Sequence, residues 1–281
     1  MCRHIAVVGP DALLGETLVE PAFSLVRQSW APRRMRNGTV NADGFGVGWY
    51  APGDPKPARY RRAGPIWGDE SFADLARVVR TRVLLAAVRD ATATSADGEA
   101  AAAPFAGGPW LFSHNGAVAG WPGSAAPLTT LVPPEALLRL AARNDSAFVW
   151  ALVEHRLLSG EPPGRALAGA VTTLDRAAPG SRLNLLLTDG STIAATTWGD
   201  SLWYLVDGTP GRTVVASEPY DDDPRWREVP DRSLLTADHA GVEVGPLAPH
   251  RPPRTPHRPP RPPHRPLSPD IPDSPLKEPV Q

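Results

Sequence analysis

Arg182-Leu183-Asn184-Leu185-Leu186-Leu187-Thr188-Asp189-Gly190-Ser191-Thr192-Ile193-Ala194-Ala195-Thr196-Thr197 decides how the chain is read. Two apolar runs flank Asp189-Gly190, a dipeptide that tolerates the positive φ of a tight hairpin. Residues 182–187 and 192–197 are therefore expected to pair as antiparallel strands. Residues 202–206 and 213–216 extend the same pattern into a strand meander. Immediately upstream the period changes. Residues 133–142, 145–158 and 165–177 carry apolar side chains at helical spacing. Upstream again, strands dominate. Strands, then helices, then strands is an α+β order, unlike the strict alternation of a doubly wound parallel sheet.

The first half fits this order. Residues 4–8 are apolar and sit almost at the amino terminus. Residues 21–30 read as a short helix ending before Pro32. Residues 45–50 and 58–62 read as strands, and 83–88 is a continuous apolar run suited to a buried strand. Asp69 caps an expected helix over 69–80 whose apolar face carries Phe72, Leu75, Ala76 and Val79. Residues 95–108 read as a loop, and a strand over 110–112 runs into Asn115-Gly116. Gly44-Phe45-Gly46-Val47-Gly48 opens a strand rather than a helix, so it does not form a dinucleotide-binding loop.

Composition excludes several classes. The chain has 281 residues with 29 basic and 30 acidic side chains, so it lacks the basic excess of most nucleic-acid binders. A single cysteine rules out an internal disulfide and Cys-rich zinc sites. No apolar run is long enough for a membrane helix and no signal peptide is apparent, so a soluble cytoplasmic protein is expected. Proline is concentrated at one end: residues 246–281 hold 14 of the 34 prolines. With fixed φ and missing amide donors, this stretch is expected to form a disordered polyproline-like tail after a body spanning 1–245. The tail carries net charge +3, and its spaced His250, His257 and His264 are read as solvated rather than as metal ligands.

The candidate chemistry begins at Cys2. Removal of Met1 is expected before a small second residue, and it would place a thiol and a free α-amine on one residue. The amine, with an ordinary pKa of about 7.7–8.0, is then a base tethered to its own nucleophile. Cys2 is equally compatible with a start-site cysteine of no special role. Asn115-Gly116 is a strong hairpin signal, yet a tight turn there could also aim the Asn amide and the Gly N–H at an oxyanion. Arg89, at a strand end, suits a surface ion pair or a fork for a carboxylate. Asp145 suits a helix N-cap or a partner for an ammonium. Asp221-Asp222-Asp223 reads as a solvated acidic turn, and His155 and His239 as structural.

Cys2, Arg89, Asn115-Gly116 and Asp145, in this order, resemble the class II glutamine amidotransferases, a branch of the N-terminal nucleophile hydrolases. Longer strings narrow the likeness: Met1-Cys2-Arg3-His4, Trp30-Ala31-Pro32-Arg33-Arg34, Asn41 to Gly48, Pro65 to Asp69, Ser113 to Gly116, Thr196 to Asp200 and Ser217 to Asp223. These resemble the γ-glutamyl amidohydrolases of ergothioneine biosynthesis over residues 1–245. The resemblance implies an αββα sandwich of two antiparallel sheets flanked by helices. It also implies hydrolysis of γ-glutamyl-hercynylcysteine S-oxide, a small-molecule substrate, with no metal or organic cofactor. It assigns Cys2 as nucleophile, Asn115 and Gly116 to the oxyanion, Arg89 to the α-carboxylate and Asp145 to the α-ammonium. Asn144 departs from the Thr or Cys often found at that position in related enzymes.

Two other readings compete. A stand-alone glutamine amidotransferase could pass ammonia to a partner synthase, although 281 residues leave no room for a synthase domain in this chain. A catalytically dead scaffold is disfavoured by the intact residue set. The trimethylammonium of the leaving group calls for an aromatic face. Trp30, Trp67 and Tyr220 are candidates, although core packing is the commoner use of such residues.

Overall fold

The computed structural model describes residues 2–34, 40–91, 98–208 and 211–247. Its strands in chain order are β1 (Arg3–Leu13), β2 (Phe45–Trp49), β3 (Ala58–Arg62), β4 (Arg80–Val88), β5 (Phe105–Gly107), β6 (Trp110–Ala117) and β7 (Arg182–Thr188). They continue as β8 (Ile193–Thr197), β9 (Trp203–Asp207), β10 (Arg212–Ala216), β11 (Arg227–Glu228), β12 (Ser233–Ala237) and β13 (Val242–Pro246). The helices are α1 (Leu14–Leu18), α2 (Leu25–Gln28), α3 (Glu70–Val78), α4 (Pro134–Leu138), α5 (Asp145–Leu158) and α6 (Pro163–Ala177).

The strands form two antiparallel sheets, ordered β11-β9-β10-β1-β4-β2-β3 and β13-β12-β8-β7-β6-β5. Side-chain alternation divides their residues among three cores. Ile5, Val7, Leu84, Ala86, Val88, Val214 and Ala216 face outward, against Leu14, Leu18, Leu25 and Phe72 from the α1–α3 side. Ala6, Val8, Val83, Leu85 and Val215 face inward, meeting Leu111, Leu186, Ile193 and Ala195 of the second sheet. Leu183, Leu185 and Leu187 point the other way, into the α5 and α6 layer with Phe148, Val149, Leu167 and Val171. The result is the expected αββα sandwich. Central strands buried on both faces need apolar residues at every position, which is why β4 reads as a continuous run.

Local chemistry explains the boundaries. The Asp69 carboxylate accepts from Phe72 N at 2.7 Å and starts α3. Asn144, not Asp145, caps α5, its side-chain oxygen accepting from Ala147 N at 2.9 Å. Asn is among the best N-cap residues, so this departure from the related pattern strengthens the helix start. The β7–β8 hairpin forms as expected, with Gly190 at φ 91°.

Other expectations change. The helix expected over 21–30 shrinks to α2, because Ser24 caps it from inside that window. The helix expected over 133–142 ends at Leu138. Phe105–Gly107, expected as loop, pairs with β6 as the edge strand β5. The meander breaks after β8, since β9 and β10 cross to the other sheet and place β10 beside β1. The helix α1 and the strands β11–β13 were not legible. Asn115-Gly116 makes no turn: β6 continues to Ala117, with Asn115 opposite Asn184 and Gly116 opposite Leu183. The expected tail begins at Pro246, yet Pro246 closes β13 opposite Ser233 at the sheet edge, where a missing amide is tolerated, and Leu247 is buried. The rest of that stretch, 248–281, lies outside the described residues.

Candidate active site

The same alternation builds the site. In β1, Ala6 and Val8 face the inter-sheet core, so Cys2 and His4 belong to that face and Arg3 to the other. Arg3 stands opposite Val88, so the next positions, Cys2 and Arg89, are brought side by side on the inward face. In β6, Leu111 faces inward and Phe112 outward, which directs Ser113 and Asn115 inward. His4 Nδ1 shares a hydrogen bond with Ser113 Oγ at 3.2 Å, tying the two sheets together beside the site. Cys2, Arg89 and Asn115 thus meet at one end of the inter-sheet cleft, from strands far apart in sequence.

Each side chain is held by identifiable partners. Arg89 is buried, and its guanidinium donates to the Asp43 carbonyl at 3.2 Å. Asp43 N donates to the Arg89 carbonyl at 3.0 Å, and the Asp43 carboxylate accepts from Ala91 N at 2.8 Å. The Asn41-Ala42-Asp43-Gly44 string therefore wraps the arginine. Asn115 is fully buried; its Nδ2 donates to Ser217 Oγ at 3.4 Å, while its Oδ1 has no hydrogen-bond partner. Pairing of β6 with β5 stops at Phe112, so the outer edge of residues 113–117 has no strand beside it among the described residues. A Cβ at Gly116 would run into the Arg182 carbonyl, so the close β6–β7 approach there requires glycine. Asp145 lies in the first turn of α5; its carboxylate accepts from Val118 N and Ser146 N at 2.9 and 2.8 Å. That ties the helix start to the end of β6.

Burial pushes the half-buried Cys2 thiol up; a hydrogen bond from the Asp90 backbone and the Arg89 charge pull it back down, and Asp145 adds to the rise. A neutral thiol therefore fits better than a standing thiolate. Burial, with the neighbouring His114 and Arg3, also holds His4 down to about 3. The sign follows. Below an ordinary value of 6.5 the unfolded imidazole gains a proton that native His4 refuses until about pH 3. The unfolded chain thus binds more protons in this window, and stability falls as pH is lowered through it. The urea midpoint is expected to fall between pH 6.5 and 5, and His4→Asn is expected to flatten that slope.

Several supporting residues have no role that the sequence assigns. Ser217 and Glu218 bracket the nucleophile strand. His114 Nε2 donates to the Arg182 carbonyl at 3.0 Å, which leaves Nδ1 to accept the Ser146 hydroxyl at 3.1 Å. These partners lie 32 or more residues from each other in sequence, so no local spacing could reveal them. Other candidates are reassigned. Tyr220 is buried, packs edge-on to Trp226 at 5.2 Å and accepts from Arg212 at 3.1 Å, so it is a core residue and not an exposed aromatic face. The acidic run is spoken for: Asp221 accepts from Trp226 Nε1, Asp222 pairs with Arg33 and Asp223 with Arg225. Trp30 and Trp67 remain partly exposed and meet edge-to-face at 5.5 Å. No group of three or more potential metal ligands occurs among the described residues, and no helix among them is long and apolar enough to cross a membrane.

Known proteins resemble this chain in family and fold. The family described as glutamine amidotransferases class-II matches residues 12–223. A gamma-glutamyl-hercynylcysteine sulfoxide hydrolase from Mycolicibacterium smegmatis is 41% identical over 247 residues, covering 88% of this chain and 100% of the relative. A protein of the same name from Mycobacterium tuberculosis is 39% identical over 256 residues, covering 90% and 100%. Among solved structures, a glutamine aminotransferase class-II domain protein from Silicibacter pomeroyi superposes with a TM-score of 0.65 at 25% identity, covering 88% of this chain and 100% of that one. The glutamine phosphoribosylpyrophosphate amidotransferase of Bacillus subtilis gives 0.58 at 16% identity, covering 88% of this chain and 49% of that one, a likeness of fold alone.

Proposed function

Because the chain belongs to the class II glutamine amidotransferases, we propose that the end of its inter-sheet cleft is a γ-glutamyl amidohydrolase site with Cys2 as nucleophile. The chain hydrolyses the γ-glutamyl amide of γ-glutamyl-hercynylcysteine sulfoxide, releasing glutamate and hercynylcysteine sulfoxide, as the names of its full-length relatives support. The observation that carries the residue assignment is the convergence of Cys2 and Arg89 from one sheet and Asn115 from the other at one end of the inter-sheet cleft. We place the activity in the cytoplasm, a reducing environment suited to a free thiol nucleophile.

The proposed reaction is acyl transfer in two steps. With Met1 removed, the Cys2 amine takes the thiol proton as sulfur attacks the γ-carbonyl carbon. The Asn115 Nδ2–H and the Gly116 N–H hold the tetrahedral oxyanion. Collapse expels the amine of the leaving group, which takes a proton from the ammonium, and leaves a glutamyl thioester. Water, deprotonated by the same amine, releases glutamate and regenerates the thiol. Arg89 grips the α-carboxylate of the glutamyl head through its planar fork, and Asp145 the α-ammonium.

The decisive assay offers the purified chain γ-glutamyl-hercynylcysteine sulfoxide and, separately, glutamine. Glutamate release from the sulfoxide at far higher efficiency supports this reading. Faster ammonia release from glutamine would instead make the chain an ammonia-supplying subunit. Intact mass must show loss of Met1, since a retained methionine leaves no free amine on Cys2.

Charge-assisted hydrogen bonds contribute about 1.5–3 kcal/mol. Arg89→Ala is therefore expected to lower kcat/KM about 10- to 100-fold. On a substrate lacking the α-carboxylate, wild type and variant should perform alike; a persisting gap would give Arg89 another role. For the trimethylammonium of the leaving group we propose the exposed Trp30–Trp67 corner. The Arg27 guanidinium lies 5.3 Å from the Trp30 ring centroid, so a substrate cation would replace it there or use the Trp67 ring. Cation–π contact contributes about 0.5–2 kcal/mol per ring. Trp30→Leu and Trp67→Leu should thus reduce, several-fold, the preference for the trimethylated substrate over its primary-ammonium analogue. An unchanged preference in both removes the pair from the pocket.

A further inference from the structure

Termini fray unless something ties them down. A nucleophile on the first residue of a processed chain has no preceding residue to hold it, and the strand that follows must do so. Two residues just beyond β10 make the restraining contacts. Ser217 N donates to the His4 carbonyl at 2.9 Å, and His4 N donates back to Ser217 Oγ at 3.0 Å. The same Oγ accepts the Asn115 amide at 3.4 Å. Both lone pairs of this hydroxyl are thereby used, one by the nucleophile strand and one by the proposed oxyanion donor. With one Nδ2 hydrogen engaged by Ser217, the Asn115 amide plane is fixed and its second hydrogen is left for substrate.

Glu218 works on the opposite face. It is buried, as is Arg3, and its Oε2 lies 3.9 Å from the Arg3 guanidinium. Its two oxygens also accept Arg33 N and Arg34 N at 3.0 and 2.8 Å. The 33–34 segment is itself pinned: the Arg33 guanidinium stacks on Phe23 at 3.8 Å and that of Arg34 on Trp203 at 4.4 Å. Arg3 Nε and one terminal nitrogen have no hydrogen-bond partner. A buried guanidinium so poorly satisfied depends on its carboxylate, because removing one partner strands the other charge.

Resting on the reading of Cys2 and Asn115 above, we propose that Ser217-Glu218 is a two-sided positioning clamp. Ser217 orients the oxyanion amide from inside the cleft. Glu218 anchors Arg3 from behind the sheet and so holds the chain end that carries Cys2. Neither residue touches the reacting atoms; both are positioning residues.

The test uses the full chain with Met1 removal verified by mass. Steady-state hydrolysis, thermal unfolding and the rate of Cys2 alkylation by iodoacetamide at fixed pH are measured together. Iodoacetamide reacts by displacement and forms no oxyanion, so it reports on the thiol alone. Ser217→Ala is expected to lower kcat about 10- to 100-fold, with KM within threefold and alkylation within twofold of wild type. Glu218→Gln is expected to lower kcat by a similar factor while alkylation accelerates several-fold, because the released terminus exposes the thiol. Both should melt above the assay temperature. If Glu218→Gln does not fold, Glu218→Asp, which keeps the charge and shortens the reach, is measured with the same expectation. Wild-type kcat in either variant, or a loss confined to KM, overturns the clamp. Cys2→Ala run alongside separates that failure from failure of the nucleophile assignment, since it stays inactive if only the clamp is wrong.

Discussion

Cys2→Ala is expected to fold normally and to hydrolyse the γ-glutamyl amide at less than about one thousandth of the wild-type rate, since removing a nucleophile leaves only binding and oxyanion stabilisation. The folding half of this expectation rests on where Cys2 lies. It precedes the first residue of β1, is only half-buried and belongs to no hydrophobic core cluster. Truncating its side chain removes little packing, so the change in stability should stay within about 1 kcal/mol. Cys2→Ser should also fold, and turn over poorly, because a hydroxyl is far harder to ionise than a thiol. The pH dependence has a definite sign. Burial raises the thiol, so its alkylation should climb with pH beyond the range of an ordinary cysteine. A flat alkylation profile from pH 6 upward would show a standing thiolate and remove the need for the amine. Retention of more than a few per cent of turnover by Cys2→Ala would overturn the mechanism outright.

The second large effect concerns Asn115. Loss of one oxyanion donor costs about 10²–10³ in kcat, and Asn115→Ala is expected to fall in that range with little change in KM. Its stability should be nearly unaffected, which is unusual for a fully buried polar residue. The Asn115 Oδ1 has no partner in the fold, and its amide makes one long bond to Ser217 Oγ, which keeps the His4 N–H after the substitution. Removing the amide therefore strands nothing and deletes an unsatisfied oxygen. Activity and stability should separate: a deep loss of kcat beside a thermal midpoint within a few degrees of wild type. A large drop in midpoint with modest loss of kcat would assign Asn115 to the core instead. Gly116→Ala makes the complementary case. Its Cβ collides with the Arg182 backbone, so it should destabilise the β6–β7 pair and lose activity through the fold.

The sequence by itself determined the layers. The hairpin signal at Asp189-Gly190, the continuous apolar run of β4 and the helical periodicity of α5 and α6 are local, short-range patterns, and each is realised where it was read. Residue type made Cys2, Arg89, Asn115, Gly116 and Asp145 candidates beside plainer structural readings, and their order, as a family likeness, gave them roles. The tertiary structure decided what those residues do for one another. Asn115-Gly116 reads locally as a turn, yet lies inside β6 because pairing with β7 continues to Ala117. Asp145 reads as a cap, yet Asn144 takes that role and frees the aspartate to hold the end of β6. Ser217 and Glu218 belong to a string that carries the family likeness, but nothing in the sequence gives either a role. Their importance arises only when β10 crosses to the first sheet and lies against β1, bringing together residues 213 positions apart. Short-range pattern fixes which residues become strand or helix, since it depends on dihedral preference and burial period. Which strands become neighbours depends on long-range packing, and the positioning of this site is made of such neighbours.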